Sequence, residues 1–432
     1  MTAAPSKLSR AIKLGGHAFW NTAGFIFSLG MERLLIHPIM KENLGAEAFG
    51  AFIWMLGLVN LFGQVAANGF AIVMLRDFTG KSADEQQLMA RQSLLMSIWL
   101  TTALLIVAAI GAMGFGGEAI RDVRAPLTTM LIVFAVVRSL ELVLITLLRI
   151  RRQFLVIFGL RVLEGIVLLG NLWASSVGSF WLIGAVYVVS MVAPTAFALW
   201  REPLIGTRGP WWQRDAAYGL LMGWVGGAVL TLTEQGQMYA PRLVLGPVAG
   251  EAAVTVLYSG VSISNLFVAP VSILGGLVMA LLAGNTGYAL AGRRHKLYLI
   301  AATGSALLVG LVSQFIGMWL VERLYPQEAD QTRTFYHWIA ISNAFTTLTL
   351  LLRPVAIKYL SMRLVNSLSA VSVVLQIGAL AILTPMYEAR GAAMALAASS
   401  AVATCFWIYT YFQSRSWKKV EPDAVTPGSD EG

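Results

Sequence analysis

LGAEAFGAFIWMLGLVNLFGQVAANGFAIVML, residues Leu44 to Leu75, carries no charged side chain from Gly50 onward for 26 positions. As an α-helix rising about 1.5 Å per residue, that run crosses a hydrocarbon core of roughly 30 Å with length to spare. It reads as a membrane span. A weaker echo follows about 205 residues later: Glu47, twelve residues, Asn60-Leu61-Phe62 in the first copy; Glu251, thirteen residues, Asn265-Leu266-Phe267 in the second. The spacing is close to half of the 432-residue chain, so the sequence reads as two homologous halves.

Composition agrees. Hydrophobic residues make up 57% and charged residues only 12% of the chain, against about 25% charge in soluble proteins. A polytopic membrane protein follows, and the fold class is all-α. The basic start, MTAAPSKLSRAIKLGG, leads into an apolar segment that contains Glu32, Arg33 and His37 and lacks a small-residue cleavage site. It is expected to be a retained first span. Cys405 is the single cysteine, which excludes an intrachain disulfide and a cysteine metal site.

Apolar runs bounded by charge place twelve spans, near 15–39, 49–75, 92–114, 126–148, 154–173, 178–200, 216–238, 251–280, 297–320, 335–355, 364–386 and 391–413. The stretch from Ala252 to Gly292 has no charge for 41 residues and leaves one span or two open. One span bent at Pro270 keeps the loop charges in register. With the first residues inside, seven alternate groups each hold three Lys or Arg, 21 in all, beginning with Lys7, Arg10 and Lys13. The other side holds seven, and Arg33, Arg138 and Arg161 lie within spans. That bias predicts both termini in the cytoplasm and explains the net charge of +9 without nucleic acid. The expected organisation is two pseudo-symmetric six-helix bundles around a central cavity, residues 1–200 and 216–413. A cytoplasmic linker, 201–215, joins them, and a disordered acidic tail, 414–432, follows.

Ionisable residues within spans cost about 2.5 to 3.5 kcal/mol each at mid-depth on insertion scales, so they face a cavity or a partner. Arg138 and Glu141 lie three apart on one face of the fourth span, and Arg161 and Glu164 repeat the arrangement in the fifth. Glu32 and Arg33 sit in the first span and Glu234 in the seventh. Arg242, beside Pro241, reads as an outer-interface residue; Arg353, before Pro354, reads as a cytoplasmic anchor, the alternative being that a bent helix draws it into the membrane. Two readings stand side by side: self-neutralising pairs that fix packing, or cations and carboxylates lining a passage. Gln64, Asn68, Gln314, Asn343 and Gln376 read mainly as interhelical hydrogen-bonding groups. His17, His37, His295 and His337 are far apart, show no metal-binding spacing, and are set aside. No Walker loop occurs, and GFGG at Gly114 to Gly117 reads as a turn. Outer loops of no more than about 15 residues leave no room for an enzyme site, and Glu42 with Glu47 reads as turn solvation. No cofactor is expected.

LGAEAFGAF in the first half, VLGPVAGEAAVTVLYSGVSISNLFVAP in the second, and RIRRQF after the fourth span resemble polysaccharide-type flippases. Their superfamily also holds multidrug and toxin extruders and the lipid II flippase. The likeness covers most of the chain, although Asn68-Gly69-Phe70 stands where the family more often has an acidic residue before the glycine. It implies an inner-membrane transporter that moves a polyprenyl-diphosphate-linked oligosaccharide to the outer leaflet by alternating access, beside glycosyltransferases and a polymerase. On that view Arg138, with Arg33, Arg161, Arg242 and Arg353, supplies cavity cations for the diphosphate. Glu32, Glu141, Glu164 and Glu234 supply ion coupling. A small-molecule extruder of the same architecture, a membrane enzyme and a scaffold of polysaccharide assembly are the alternatives.

Overall fold

A computed structural model describes residues 7–78, 81–113, 119–201, 210–284, 293–359 and 362–416, and the described residues form helices joined by short turns with no strand. The first span is one rod made of α1 (Lys7–Gly30), a π-helical segment (Met31–Ile36) and α2 (His37–Leu44). There follow α3 (Ala46–Asp77), α4 (Ala83–Met113), α5 (Ala119–Ile150), α6 (Phe154–Leu168) with α7 (Gly170–Ser176), and α8 (Phe180–Arg201). Beyond the linker come α9 (Arg214–Ala249) and α10 (Glu251–Gly284). Next is α11 (Arg293–Val312), which runs through a second π segment (Ser313–Gly317) into α12 (Met318–Leu324). A short α13 (Ala329–Arg333), α14 (Tyr336–Tyr359) and α15 (Met362–Ser416) complete the described chain.

Each of the twelve expected spans falls on one of these helices. Ten described stretches are long and apolar enough to cross a bilayer. α14 is not among those ten, which all lie within the described residues. The 49-residue stretch Leu364–Phe412 holds two crossings. Its backbone breaks at Glu388 (φ 49°, ψ −127°), and the chain returns so tightly that a Cβ on Gly391 would lie 1.9 Å from the Leu383 carbonyl oxygen. Before the break Gln376 donates to the Gly236 carbonyl on α9; after it Thr404 donates to Phe345 on α14. The described part of the uncharged stretch is one helix, α10, with Pro270 inside it; 285–292 lie outside the described residues, as do 202–209 of the linker and 417–432 of the tail.

Two corrections concern length and burial. The seventh helix runs on to Ala249 through Pro241 and Pro247, well past the expected end near 238, because prolines are tolerated in a membrane helix whose neighbours shield the freed groups. Arg242 therefore lies inside a helix and is buried against its neighbours, and Arg353 is likewise buried.

The turns before α3 and before α10 share one backbone geometry. Gly45 has φ 82° and ψ 166°, and Gly250 has φ 85° and ψ 173°, a region that a side chain would make strained. Each N–H closes the preceding helix on the carbonyl four residues back, Lys41 and Gly246. The two turns pack on each other, with Thr255 Oγ1 donating to the Ala46 carbonyl at 2.6 Å.

From there α3 and α9 run side by side through the molecule and make a seam with a reciprocal fastening. Trp54 on α3 donates its indole N–H to the Leu243 carbonyl on α9, and Trp224 on α9 donates to the Ala66 carbonyl on α3, both at 3.0 Å. Each ring needs a bare backbone beneath it. A Cβ on Gly246 would lie 2.6 Å from Trp54, and one on Gly69 2.4 Å from Trp224. Small residues at close helix crossings are the usual source of packing in a bilayer, where lipid is as apolar as leucine.

Gly69→Ala and Gly246→Ala are each expected to destabilise the protein by about 1–3 kcal/mol through overpacking. Gly219→Ala, where a Cβ meets nothing within 4 Å, should be near neutral. Thermal unfolding in detergent of the three variants checks the contrast.

Candidate functional site

The charges of the fourth and fifth spans come together as one closed cluster. On α5 Arg138 Nη1 lies 2.7 Å from Glu141 and 3.2 Å from Glu164 of α6. Arg161 Nη1 of α6 lies 2.5 Å from Glu164 and 3.0 Å from Glu141. Each carboxylate thus holds both guanidiniums. Helical i, i+3 spacing puts each pair on one face, and the packing of α5 on α6 joins the pairs. A buried cluster neutralised in this way largely offsets the desolvation of its members, and losing any one would strand another.

Two further arginines are buried without an ion pair among the described residues. Arg33, in the π segment, donates to the Ser262 carbonyl on α10 at 3.1 Å. Arg242, on α9, sits over the rings of Tyr239 and Tyr258, 4.6 and 5.4 Å from their centroids, and its aliphatic stem packs on Gly57 of α3. Gln64 of α3 donates to the Tyr239 hydroxyl at 3.0 Å. Arg33 and Arg242 are 7% and 6% exposed. A narrow cleft of about 10 Å³, lined by Met238, Pro241, Arg242, Leu257, Tyr258 and Val261, opens beside the second of them. Aromatic faces offset about 0.5–2 kcal/mol of a buried cation's desolvation, less than its cost in the membrane interior.

Beside these arginines runs a chain of polar groups from both halves of the sequence. Tyr187 on α8 donates to Glu32 Oε1 at 3.2 Å, His37 Nε2 lies 2.8 Å from the Tyr187 oxygen, and His37 Nδ1 lies 2.5 Å from the Tyr258 oxygen. Glu32, Arg33, Arg138, Arg161, Arg242, Glu141 and Glu164 place four guanidiniums against three carboxylates, one positive charge in excess.

Toward the end of α2, Lys41 Nζ lies 2.6 Å from Glu328 Oε1 and donates to Gln327 Oε1 at 2.6 Å. Lys41 and Glu328 are both buried, so this clamp ties α2 to the segment before α13 in low dielectric. Elsewhere Glu234 of α9 is paired with Arg353 of α14, whose guanidinium lies 6.0 Å from the Trp407 ring centroid. The structure therefore gathers Glu32, Arg33 and Arg242 into one region, with the cluster of Arg138, Glu141, Arg161 and Glu164 alongside, and sets Glu234 and Arg353 apart as a pair. Among the described residues no group of three or more His, Cys, Asp or Glu is gathered as a metal site would need.

Sequence reasoning missed His37, Lys41, Tyr187 and Tyr258. One signal was present: Arg33, His37 and Lys41 recur every fourth residue, a polar stripe on one side of the first span. Nothing local marked the tyrosines, whose role depends on helices 150 and more residues away.

No protein-family model and no curated protein sequence matches the chain. Solved structures do. An inward-facing multidrug resistance MATE family transporter of the MOP superfamily superposes with TM-score 0.63 at 16% identity, over 94% of this chain and 96% of that one. An outward-facing MATE transporter gives 0.62 at 16% identity, over 96% and 99%. The lipid II flippase MurJ in an inward closed conformation gives 0.65 at 11% identity, over 95% and 90%. The chain has the fold of MOP-superfamily transporters and flippases, and it is a multi-pass membrane protein.

Lys41→Ala leaves the Glu328 carboxylate buried and unpaired, and is expected to destabilise by about 3–5 kcal/mol. The exchanged pair, Lys41→Glu with Glu328→Lys, should recover part of that loss. Unfolding midpoints of the single and paired variants would show it; equal losses in both would mean the ion pair contributes nothing.

Proposed function

We propose that the chain is a flippase that carries a polyprenyl-diphosphate-linked oligosaccharide from the cytoplasmic to the outer leaflet of a bacterial inner membrane. Residues 1–200 and 216–413 act as two six-helix bundles that open alternately to either side. The observation that carries this reading is the pair Arg33 and Arg242. One stands in the first span and one in the seventh, both buried, and neither lies within ion-pair contact of a carboxylate among the described residues, although Glu32 stands nearby. A diphosphate has the charge and the paired oxygens to engage two guanidinium forks at once. Arg138 and Arg161 instead share two carboxylates, so they serve as a neutral brace near the site, and Arg353, paired with Glu234, stands apart.

Coupling to an ion falls to the carboxylates that solvent still reaches. Glu32 and Glu234 side chains are 23% and 38% exposed, whereas Glu141 and Glu164 are 0% and 7% exposed and clamped. The seam of α3 and α9 is fastened at both ends, at Trp54 and at Trp224. Alternation then means releasing one fastening at a time, with Gly45 and Gly250 turning the chain where the bundles meet.

A small-molecule antiporter is the second reading, favoured by the close superposition on multidrug MATE transporters. Cationic drugs would be repelled by the excess positive charge of this site, which is why the flippase reading leads. In liposomes with a labelled prenyl-diphosphate sugar, Arg33→Gln and Arg242→Gln are each expected to slow flipping at least about tenfold, the loss of one charge-assisted contact. Flipping at the normal rate by the doubly substituted protein would end the proposal. A deletion strain with intact surface polysaccharide and drug hypersensitivity would favour the antiporter.

A further inference from the structure

His37 is a buried histidine that ordinary packing would explain, except that both ring nitrogens are engaged, and by phenols from opposite halves of the sequence. Tyr187 has one hydroxyl proton, and it goes to Glu32. Its oxygen must then accept from His37, which places the imidazole proton on Nε2. Neutral His37 has no second proton, so its bare Nδ1 accepts from Tyr258. The direction of every bond in the chain follows from Glu32 accepting at its far end, three hydrogen bonds from the Tyr258 that lines the cleft. Tyr258 ends the chain and also turns its ring toward Arg242. Its hydroxyl is held by His37 alone among the described hydrogen bonds.

We propose that His37 is a positioning residue for the anion site. By holding the Tyr258 hydroxyl it fixes the ring against which Arg242 rests, and so keeps that guanidinium aimed at the cleft before any ligand arrives. Preorganised cations bind more tightly because less side-chain freedom is lost on binding. The arrangement also ties the site to the clamp of Lys41 and Glu328, since α2 carries His37 and Lys41 one helical turn apart. This inference rests on the anion-receiving role given to Arg242.

The test is binding of farnesyl diphosphate to the purified full-length protein in detergent by titration calorimetry, with inorganic pyrophosphate as the probe without a tail. Tyr258→Phe keeps the ring and removes only the hydroxyl, so it reports even where His37→Ala fails to fold. Each of these variants should weaken farnesyl diphosphate binding about tenfold, the scale of one well-placed hydrogen bond. The double variant should be no worse than either single, because both act through one link. His37→Gln, which offers one donor and one acceptor, should restore most of the affinity. A role confined to stability would lower the melting point of these variants and leave affinity unchanged. Unchanged affinity in Tyr258→Phe, or losses that multiply in the double variant, overturns the inference. If Arg242→Gln also binds like the wild type, the anion-site reading falls with it; if Arg242→Gln binds weakly while the His37 and Tyr258 variants do not, only the positioning role is lost.

Discussion

A guanidinium surrounded by hydrocarbon must be answered by a carboxylate, by aromatic faces, or by something that arrives from outside, and much of this molecule is arranged around that constraint. Two arginines are answered in full: Arg138 and Arg161 share Glu141 and Glu164, and the cluster joins α5 to α6. Arg353 is answered by Glu234. Arg33 and Arg242 are answered only in part, by a carbonyl oxygen and by two tyrosine rings. Stability alone gives no reason to keep them so, which makes their incomplete compensation the best guide to what the protein handles.

The scaffold that holds these groups solves a different problem. Lipid offers no hydrophobic drive for helices to associate, so contact must come from close backbone approach and from hydrogen bonds. The seam of α3 and α9 uses both, with each tryptophan donating across it and lying on a glycine of the other helix. The clamp of Lys41 and Glu328 adds a charge pair shielded from water. Such pairs are costly to break one partner at a time but contribute little when both separate into solvent together. A closure with that property holds firmly and can still be released as a unit. The likeness to both MATE transporters and the lipid II flippase fits a scaffold of this kind serving different cargoes through different side chains.

Much of the fold was legible in the residues because the bilayer permits few solutions. Charge-free runs of membrane length, and arginines and lysines gathered in alternate loops, located the long helices, although α1, α4 and α5 begin seven to nine residues before the expected spans and α9 runs on past two prolines to Ala249. The turn glycines stood out as well: Gly45 and Gly250, 205 positions apart, share one unusual backbone shape. Spacing of three also gave the pairing of Arg138 with Glu141 and of Arg161 with Glu164.

What spacing along one helix cannot give is which cations remain unanswered, because a partner three residues away and one on another helix look alike to the ion but not to the reader of the chain. The sequence by itself determined a multi-span helical membrane protein with arginines and carboxylates inside its spans. Only the tertiary structure decided that Arg138 is enclosed by two carboxylates, that Arg242 stands against Tyr239 and Tyr258, and that His37 joins α8 to α10. Those outcomes depend on distances between helices far apart in the chain, and electrostatic compensation in a low-dielectric interior is settled by such distances.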